Sequence, residues 1–517
     1  MNQLTASQEF IAFILPIATA LVGMRLCRWI LGKKFEDNFG FGFRFAFGLG
    51  VGIVVFSQLI LLSALAGVNA AALLAWTAIL WGGVEVVLRA MKLPATAKSF
   101  KIQPGHAWLL LLMPVLYSWW IFGQLSTLEG TLEYDANAFW VFKAKIFYLE
   151  QGHNLVDVLR QTNLAYTHMD YPTLVPCIYT FTYGAVGGVD EFVNKVWPFW
   201  MMVSLSIAIL SFARVWKTPR PLPILIVMLI AFLPATFQFI RNEGGTIPMV
   251  FCICMTTLVL VSAVYHENDV IPVAIPLAFA LCFSTKLEGA VFDALCGCAL
   301  LPVCLRRGWL KNKAFWISGI VAIACLIPYA FLRLTKPVVH PEANWIHDFA
   351  SSPAAAIHRF PQALFLNFFA RLFSSSFFTW KDNDGHLQWA GQWSGLGSLS
   401  NPELSVLPWL LFALLILSLI FKPRGRILLG ILSIVTLGIF AILSFVIASL
   451  WNTQQGFQLV IDQTCTVSGR HFYPFFTALF LGTAALWFAN QKDEPEPAAG
   501  PEAKPALTPA PKSKRRA

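Results

Sequence analysis

Apolar runs of about 18 residues or more recur along the whole chain, each long enough to cross a bilayer as a helix. They predict membrane helices at 9–25, 45–65, 69–88, 106–125, 194–213, 221–239, 246–265, 270–285, 289–305, 315–332, 404–421, 427–450 and 472–489. Polar positions gather between these runs, so the pattern reads as an all-α, polytopic membrane protein of about thirteen spans. The opening MNQLTASQEF lacks the basic stretch that begins a signal peptide, so the first run is expected to be retained. Residues 172–188, PTLVPCIYTFTYGAVGG, are apolar enough to pass for another span. Counting them would move Arg214, Lys217 and Arg220 away from the other basic loops, so they are read as an interfacial or re-entrant helix lying against the protein. In 358–380, His358, Arg359 and Arg371 interrupt an aromatic run, which suits a helix in the headgroup plane. Residues 491–517, rich in Pro, Ala and Lys, read as a disordered cytoplasmic tail.

Composition agrees. Of 517 residues, 57% are hydrophobic and 12% charged, against roughly 25% charged in soluble domains. A water-soluble globule is excluded. The net charge of +10 gains meaning from its location, because 25 of the 37 Lys and Arg residues lie on one side of the thirteen-span arrangement. They form short clusters at Arg25–Arg44, Arg89–Lys101, Arg214–Arg220, Arg306–Lys313 and Lys422–Arg426, with the rest in the tail. The positive-inside rule makes that side cytoplasmic, with the N-terminus outside and the C-terminus inside. Lipid headgroups, not nucleic acid, are then the partners of the basic clusters. Most cysteines sit in apolar runs; Cys252/Cys254 and Cys296/Cys298 point about 200° apart on a helix and read as packing residues. Only Cys177 and Cys465 fall outside the runs, which allows one disulfide without indicating it.

The candidate chemistry lies in the extracytoplasmic connections, of which 126–193 and 333–403 are long. Asp135 stands in LEYDANAFWVFKAK (132–145), about ten residues past the fourth helix, in the first turn of a helix whose apolar face is Phe139, Phe142, Ile146 and Leu149. It suits a helix cap or a reactive carboxylate. Lys143 and Lys145 suit solvated or lipid-facing positions as well as a site. In HMDYPTLVP (168–176), Asp170 can cap a helix ahead of Pro172. IRNEGGTIP (240–248) offers Arg241 and Glu243, STKLEG (284–289) Lys286 and Glu288, and SGRHFYP (468–474) Arg470 and His471. Singly, each reads as well as an ion pair or a snorkelling end residue. Together they gather at the outer ends, with Asp293 and Glu85 the exceptions at depth, and Glu85 is expected to pair with Arg89 one turn on. Asp382-Asn383-Asp384-Gly385 imitates part of a calcium loop but reads as a polar turn. No cofactor is implied, and a divalent metal stays open.

An aspartate just after a membrane helix, an aromatic-rich interfacial helix and the stretch Asp170-Tyr171-Pro172-Thr173-Leu174 resemble the GT-C superfamily of integral membrane glycosyltransferases. The likeness is to the branch of protein O-mannosyltransferases and aminoarabinose transferases, over about 106–300 and near 470. It implies a GT-C-like catalytic membrane domain at 106–490, with 1–105 as additional helices. It implies Asp135 and Asp170 as catalytic carboxylates, Asp135 as the base. Trp140, Lys143, His168, Tyr171, Arg241, Glu243, Lys286, Glu288, Arg470 and His471 would bind substrate. The donor would be a sugar on a polyprenyl phosphate, and the acceptor an envelope glycan, lipid or protein. Such chemistry needs a base at the acceptor and cations on the departing phosphate, which these residue types supply. Trp140, Trp380 and Trp393 could stack on sugar or anchor at the interface. A transporter or flippase of lipid-linked saccharide, and a polymerase or ligase using polyprenyl-diphosphate glycan, are the alternatives.

The charge distribution generates a topological prediction. Single cysteines replacing Gly130, Asn163 and Gln455, in a chain stripped of native cysteines, should react with a membrane-impermeant thiol reagent in intact cells. Labelling at 163 only after lysis would reverse the arrangement.

Overall fold

Hydrocarbon offers no partner to backbone N–H and C=O groups, so apolar runs of this length close their hydrogen bonds internally as helices. The computed structural model describes residues 5–91, 136–150, 158, 171–215, 221–231, 245–265, 271–335, 349–372, 379–381, 387–389, 403–421, 425–450 and 469–488. Its elements are α1 (Ala6–Leu31), α2 (Lys33–Asn38), α3 (Phe41–Leu65), α4 (Ala71–Met91), α5 (Phe142–Leu149), α6 (Leu174–Val186), α7 (Val196–Val215) and α8 (Pro221–Ala231). There follow α9 (Thr246–Tyr265), α10 (Ile275–Phe283), α11 (Leu287–Arg306), α12 (Lys313–Thr335), α13 (Pro353–Leu372), α14 (Glu403–Phe421), α15 (Arg426–Leu450) and α16 (Gly469–Phe488).

Among the described residues, eight helices are long and apolar enough to cross a membrane: α1, α3, α4, α7, α9, α11, α12 and α15. All eight fall on expected spans. Of the other five, 106–125 lies outside the described residues and 221–239 is described only as far as Ala231. The expected span 270–285 is instead a 3₁₀ turn, Ile271–Ala274, followed by the nine-residue α10. The stretches 404–421 and 472–489 are helical, as α14 and α16, and neither is among the eight. The all-α reading holds; the one departure among the described residues is a short antiparallel pairing of Thr379–Lys381 with Leu387–Trp389. The 382–385 turn it would carry lies outside the described residues.

Helix α6 is too short to span at 13 residues, and every one of them is buried. It packs against α1, α3, α4 and α5. A segment lying against the protein was expected here, and its enclosure is complete. Helix α13, in the stretch expected in the headgroup plane, packs on α15 and α14 and leaves Ile357 and Phe365 exposed. On α12, Trp316, Ile320, Ile323, Ile327 and Phe331 form an exposed apolar stripe at helical spacing, as lipid contact requires.

The tightest packing joins α1 to α3. A Cβ on Gly23 would stand 1.9 Å from the Gly48 carbonyl oxygen, and one on Gly52 would stand 2.5 Å from the Thr19 carbonyl. Small residues let membrane helices approach this closely, where dispersion supplies the attraction that hydrophobic burial cannot. The helices of 1–105 share one core with the rest, from Leu15 on α1 to Leu486 on α16.

Polar contacts sort helix ends into two sets. At one end the Gln8 amide donates to the Val186 carbonyl (2.7 Å), the Asn69 amide to the Tyr148 carbonyl (3.3 Å), and Lys145 pairs with Glu191. At other helix ends Arg25 Nε meets Glu85 at 2.6 Å, Arg307 donates to the Ala263 carbonyl at 3.0 Å, and the Trp487 indole donates to Ser418 at 2.8 Å. Every pair joins positions that the sequence assigns to a single side.

The α1–α3 contact is testable. Gly23→Ala should destabilise the protein by about 1–3 kcal/mol through overpacking, lowering its melting midpoint in detergent. Gly83→Ala, where a Cβ meets nothing within 4 Å, should not. Equal midpoints would mean that the two backbones do not touch.

Candidate functional site: two lysines on an aromatic pair

The chain enters the site through a single π turn, Ala136–Val141, which leads into α5. A π turn carries an extra residue per turn relative to an α-helix and so rotates the faces that follow. The expected inward face, Phe139, Phe142, Ile146 and Leu149, is therefore shifted by one position. Trp140, Val141, Lys143, Ala144 and Phe147 are the most deeply buried positions, and Leu149 is exposed. Lys143 is 1% exposed, which corrects the solvated or lipid-facing reading of this residue. Lys145 makes an ion pair with Glu191. Helix α6 lies over α5, and its Thr180 hydroxyl is 3.2 Å from the Ala144 carbonyl.

The second lysine arrives from far along the chain. Lys286 is the extended residue that precedes α11, and it is 6% exposed. The turn from α10 is tight because Gly289 lacks a side chain; a Cβ there would sit 2.1 Å from the Cys282 carbonyl oxygen. Lys286 thus stands at the positive end of the α11 dipole, and Glu288 is half-buried in the first turn of that helix.

Both lysines point at one indole. The Lys143 Nζ is 5.7 Å from the Trp140 ring centroid and 5.7 Å from that of Tyr171, and the Lys286 Nζ is 5.8 Å from Trp140. The two rings stand 5.7 Å apart, tilted by 32°. Four of the expected site residues, Trp140, Lys143, Tyr171 and Lys286, are thereby brought together from three distant segments. Trp140 is 2% exposed and serves as the platform for the ammonium groups. Asp135 immediately precedes the π turn and Asp170 immediately precedes Tyr171, but both lie outside the described residues, as do His168, Arg241 and Glu243. Arg470 and His471 begin α16, with side chains outside the description.

Magnitudes show what such a site demands. Burying one ammonium costs several kcal/mol, whereas a desolvated cation–π contact returns about 2 kcal/mol. Ammonium groups set side by side in this way are suited to carboxylate or phosphate oxygen. Among the described residues, no three His, Cys, Asp or Glu side chains are arranged to hold a metal ion. Deeper along α11, about 9 Å below the start of the helix by its rise, Asp293 is buried beside the Phe283 backbone and the Cys282 thiol. The buried thiols of Cys252, Cys282 and Cys296 lie within its electrostatic range.

One residue of the site was not singled out by the sequence. A Cβ on Gly245 would fall 2.8 Å from Lys286 Cε and 2.9 Å from Trp140 Cζ2, so the α9 entry turn closes the site with bare backbone. The Gly244-Gly245 pair in a short outer connection was the available signal. No protein-family model, curated protein or solved structure matches the chain.

Gly245→Ala should displace Lys286 or Trp140 while the helices stay folded. The measurement is Trp fluorescence beside a melting curve. An unchanged spectrum would remove Gly245 from the site wall.

Proposed function

We propose that the protein is a GT-C-like glycosyltransferase that moves a sugar from a polyprenyl-phosphate donor to an envelope acceptor on the extracytoplasmic face. The observation that carries this reading is the convergence of Lys143 and Lys286 on Trp140, beside the segment that bears Asp135. In this mechanism the two ammonium groups hold the donor phosphate and stabilise the charge that develops on it as the sugar departs. Asp135 accepts the proton of the acceptor group as it attacks the anomeric carbon. The acceptor oxygen forms the new glycosidic bond, the bond to phosphate oxygen breaks, and the leaving lipid phosphate keeps the electron pair. Glu288, Arg241, Glu243, His168, Asp170, Arg470 and His471 belong to segments that border this volume in the sequence-derived arrangement. The basic loops give the orientation, with the Trp140 end outside.

Asp293 favours a second reading, transport of a lipid-linked saccharide, because a buried intramembrane carboxylate is a feature of ion pathways. The two readings separate on paired variants. In nanodiscs, Lys143→Met and Lys286→Met should each weaken binding of a short-chain polyprenyl phosphate by about tenfold or more, the worth of a charge-assisted hydrogen bond. Asp135→Asn should leave that binding normal and cut sugar transfer by roughly two to four orders of magnitude. Wild-type transfer in Asp135→Asn would defeat the enzymatic reading. Transbilayer movement of a fluorescent lipid-linked sugar that persists in Asp135→Asn and stops in Asp293→Asn would establish the transport reading.

A further inference from the structure

A second charged cluster lies away from Trp140, where α1 and α4 end and α3 begins. Glu85 binds Arg25 through a full hydrogen bond, 2.6 Å from Nε. Arg28, Arg44 and Arg89 are less well served. Glu36 stands 3.5 Å from Arg28 and 3.6 Å from Arg44, and the second oxygen of Glu85 stands 3.7 Å from Arg89. All three distances exceed hydrogen-bonding range. Asp37 acts on Arg44 electrostatically. Arg44 also lies within electrostatic range of both Arg28 and Arg89. The Nε groups of Arg44 and Arg89 are shut off from solvent, and that of Arg89 faces the second Glu85 oxygen at 3.7 Å.

Guanidinium forks of this kind match phosphate oxygens in pairs, and the side chains of Arg28, Arg44 and Arg89 keep 42%, 21% and 37% of their surface exposed. The surroundings are apolar. Arg89 lies over the ring of Phe41 at 5.7 Å, and Phe41 is 52% exposed. Trp29 and Trp81 meet edge to face at 6.4 Å and are both exposed. Four arginines sharing two carboxylates, set beside exposed aromatic surface at the end of three long apolar helices, suit an anionic amphiphile better than a soluble ion.

We propose that Arg28, Arg44 and Arg89 bind the phosphate of an anionic membrane lipid, with its chain against the exposed aromatic surface of the same helix ends. The site is independent of the Trp140 site. By the distribution of basic loops it faces the cytoplasmic leaflet, where anionic headgroups attract basic segments.

The test uses the full chain, purified in detergent and titrated with phosphatidylglycerol, phosphatidylcholine or inorganic phosphate, with bound lipid counted by native mass spectrometry. Phosphatidylglycerol should bind, and the other two should not. The double variant R44Q/R89Q should lose at least about tenfold in phosphatidylglycerol affinity, the worth of a charge-assisted hydrogen bond. The corresponding lysine variant should fall between, because it keeps charge and loses the fork. Equal binding by R44Q/R89Q, or equal binding of phosphatidylcholine, would overturn the site. Displacement of the lipid by equimolar inorganic phosphate would overturn the lipid assignment. A photoactivatable phosphatidylglycerol on wild-type protein decides the matter if the double variant does not fold. Adducts within 25–44 and 85–91 support the site, and adducts confined to other segments refute it.

Discussion

A charge at the middle of a bilayer costs about 2.5–3.5 kcal/mol by insertion scales, and the placement of polar residues in this protein follows from that. The helices are apolar through their length, and the charges collect where they end. At one end the carboxylates of Glu36 and Glu85 sit among four arginines. At the other, two buried ammonium groups rest on Trp140. Asp293 departs from the rule, and it does so on the same helix that presents Lys286.

The two clusters treat positive charge differently. Arginine keeps its charge and offers a rigid fork, so the Arg44 and Arg89 end selects a planar or tetrahedral oxyanion at a fixed angle. Lysine offers a compact charge on a flexible stem, and an aromatic face restrains it without fixing a donor direction. A phosphate that must change its charge and leave during a reaction is better matched by the second arrangement. A headgroup that stays in place is better matched by the first.

Hydropathy made most of the helices legible, because crossing length and apolar composition are local properties. The expected span 270–285 is shorter than crossing length for a local reason as well: Pro272 and Pro276 stand in its first turns, and the α-helix begins only at Ile275. The three-residue strands after α13 are too short to leave a periodic signal against a run of aromatics. At the site, residue types and helix-end positions were readable, so Trp140, Lys143, Tyr171 and Lys286 could be named in advance. The burial of Lys143 was not. An ordinary α-helical wheel assigns the inward face to Phe139, Phe142, Ile146 and Leu149, and only the π turn moves it to Trp140, Lys143 and Phe147. What covers that face, α6, begins some thirty residues later, beyond the reach of any local window.

Helix α6 also constrains the order in which the protein can be made. All thirteen of its residues are enclosed, by α1, α3 and α4 on the N-terminal side and by α5 beneath. Its berth exists only after three earlier helices have entered the membrane and found one another through the glycine contacts of α1 and α3. A nascent chain therefore carries an apolar, homeless segment until that bundle closes. Helices α1, α3 and α4 thus form the template on which α6, the helix that follows Tyr171, can dock.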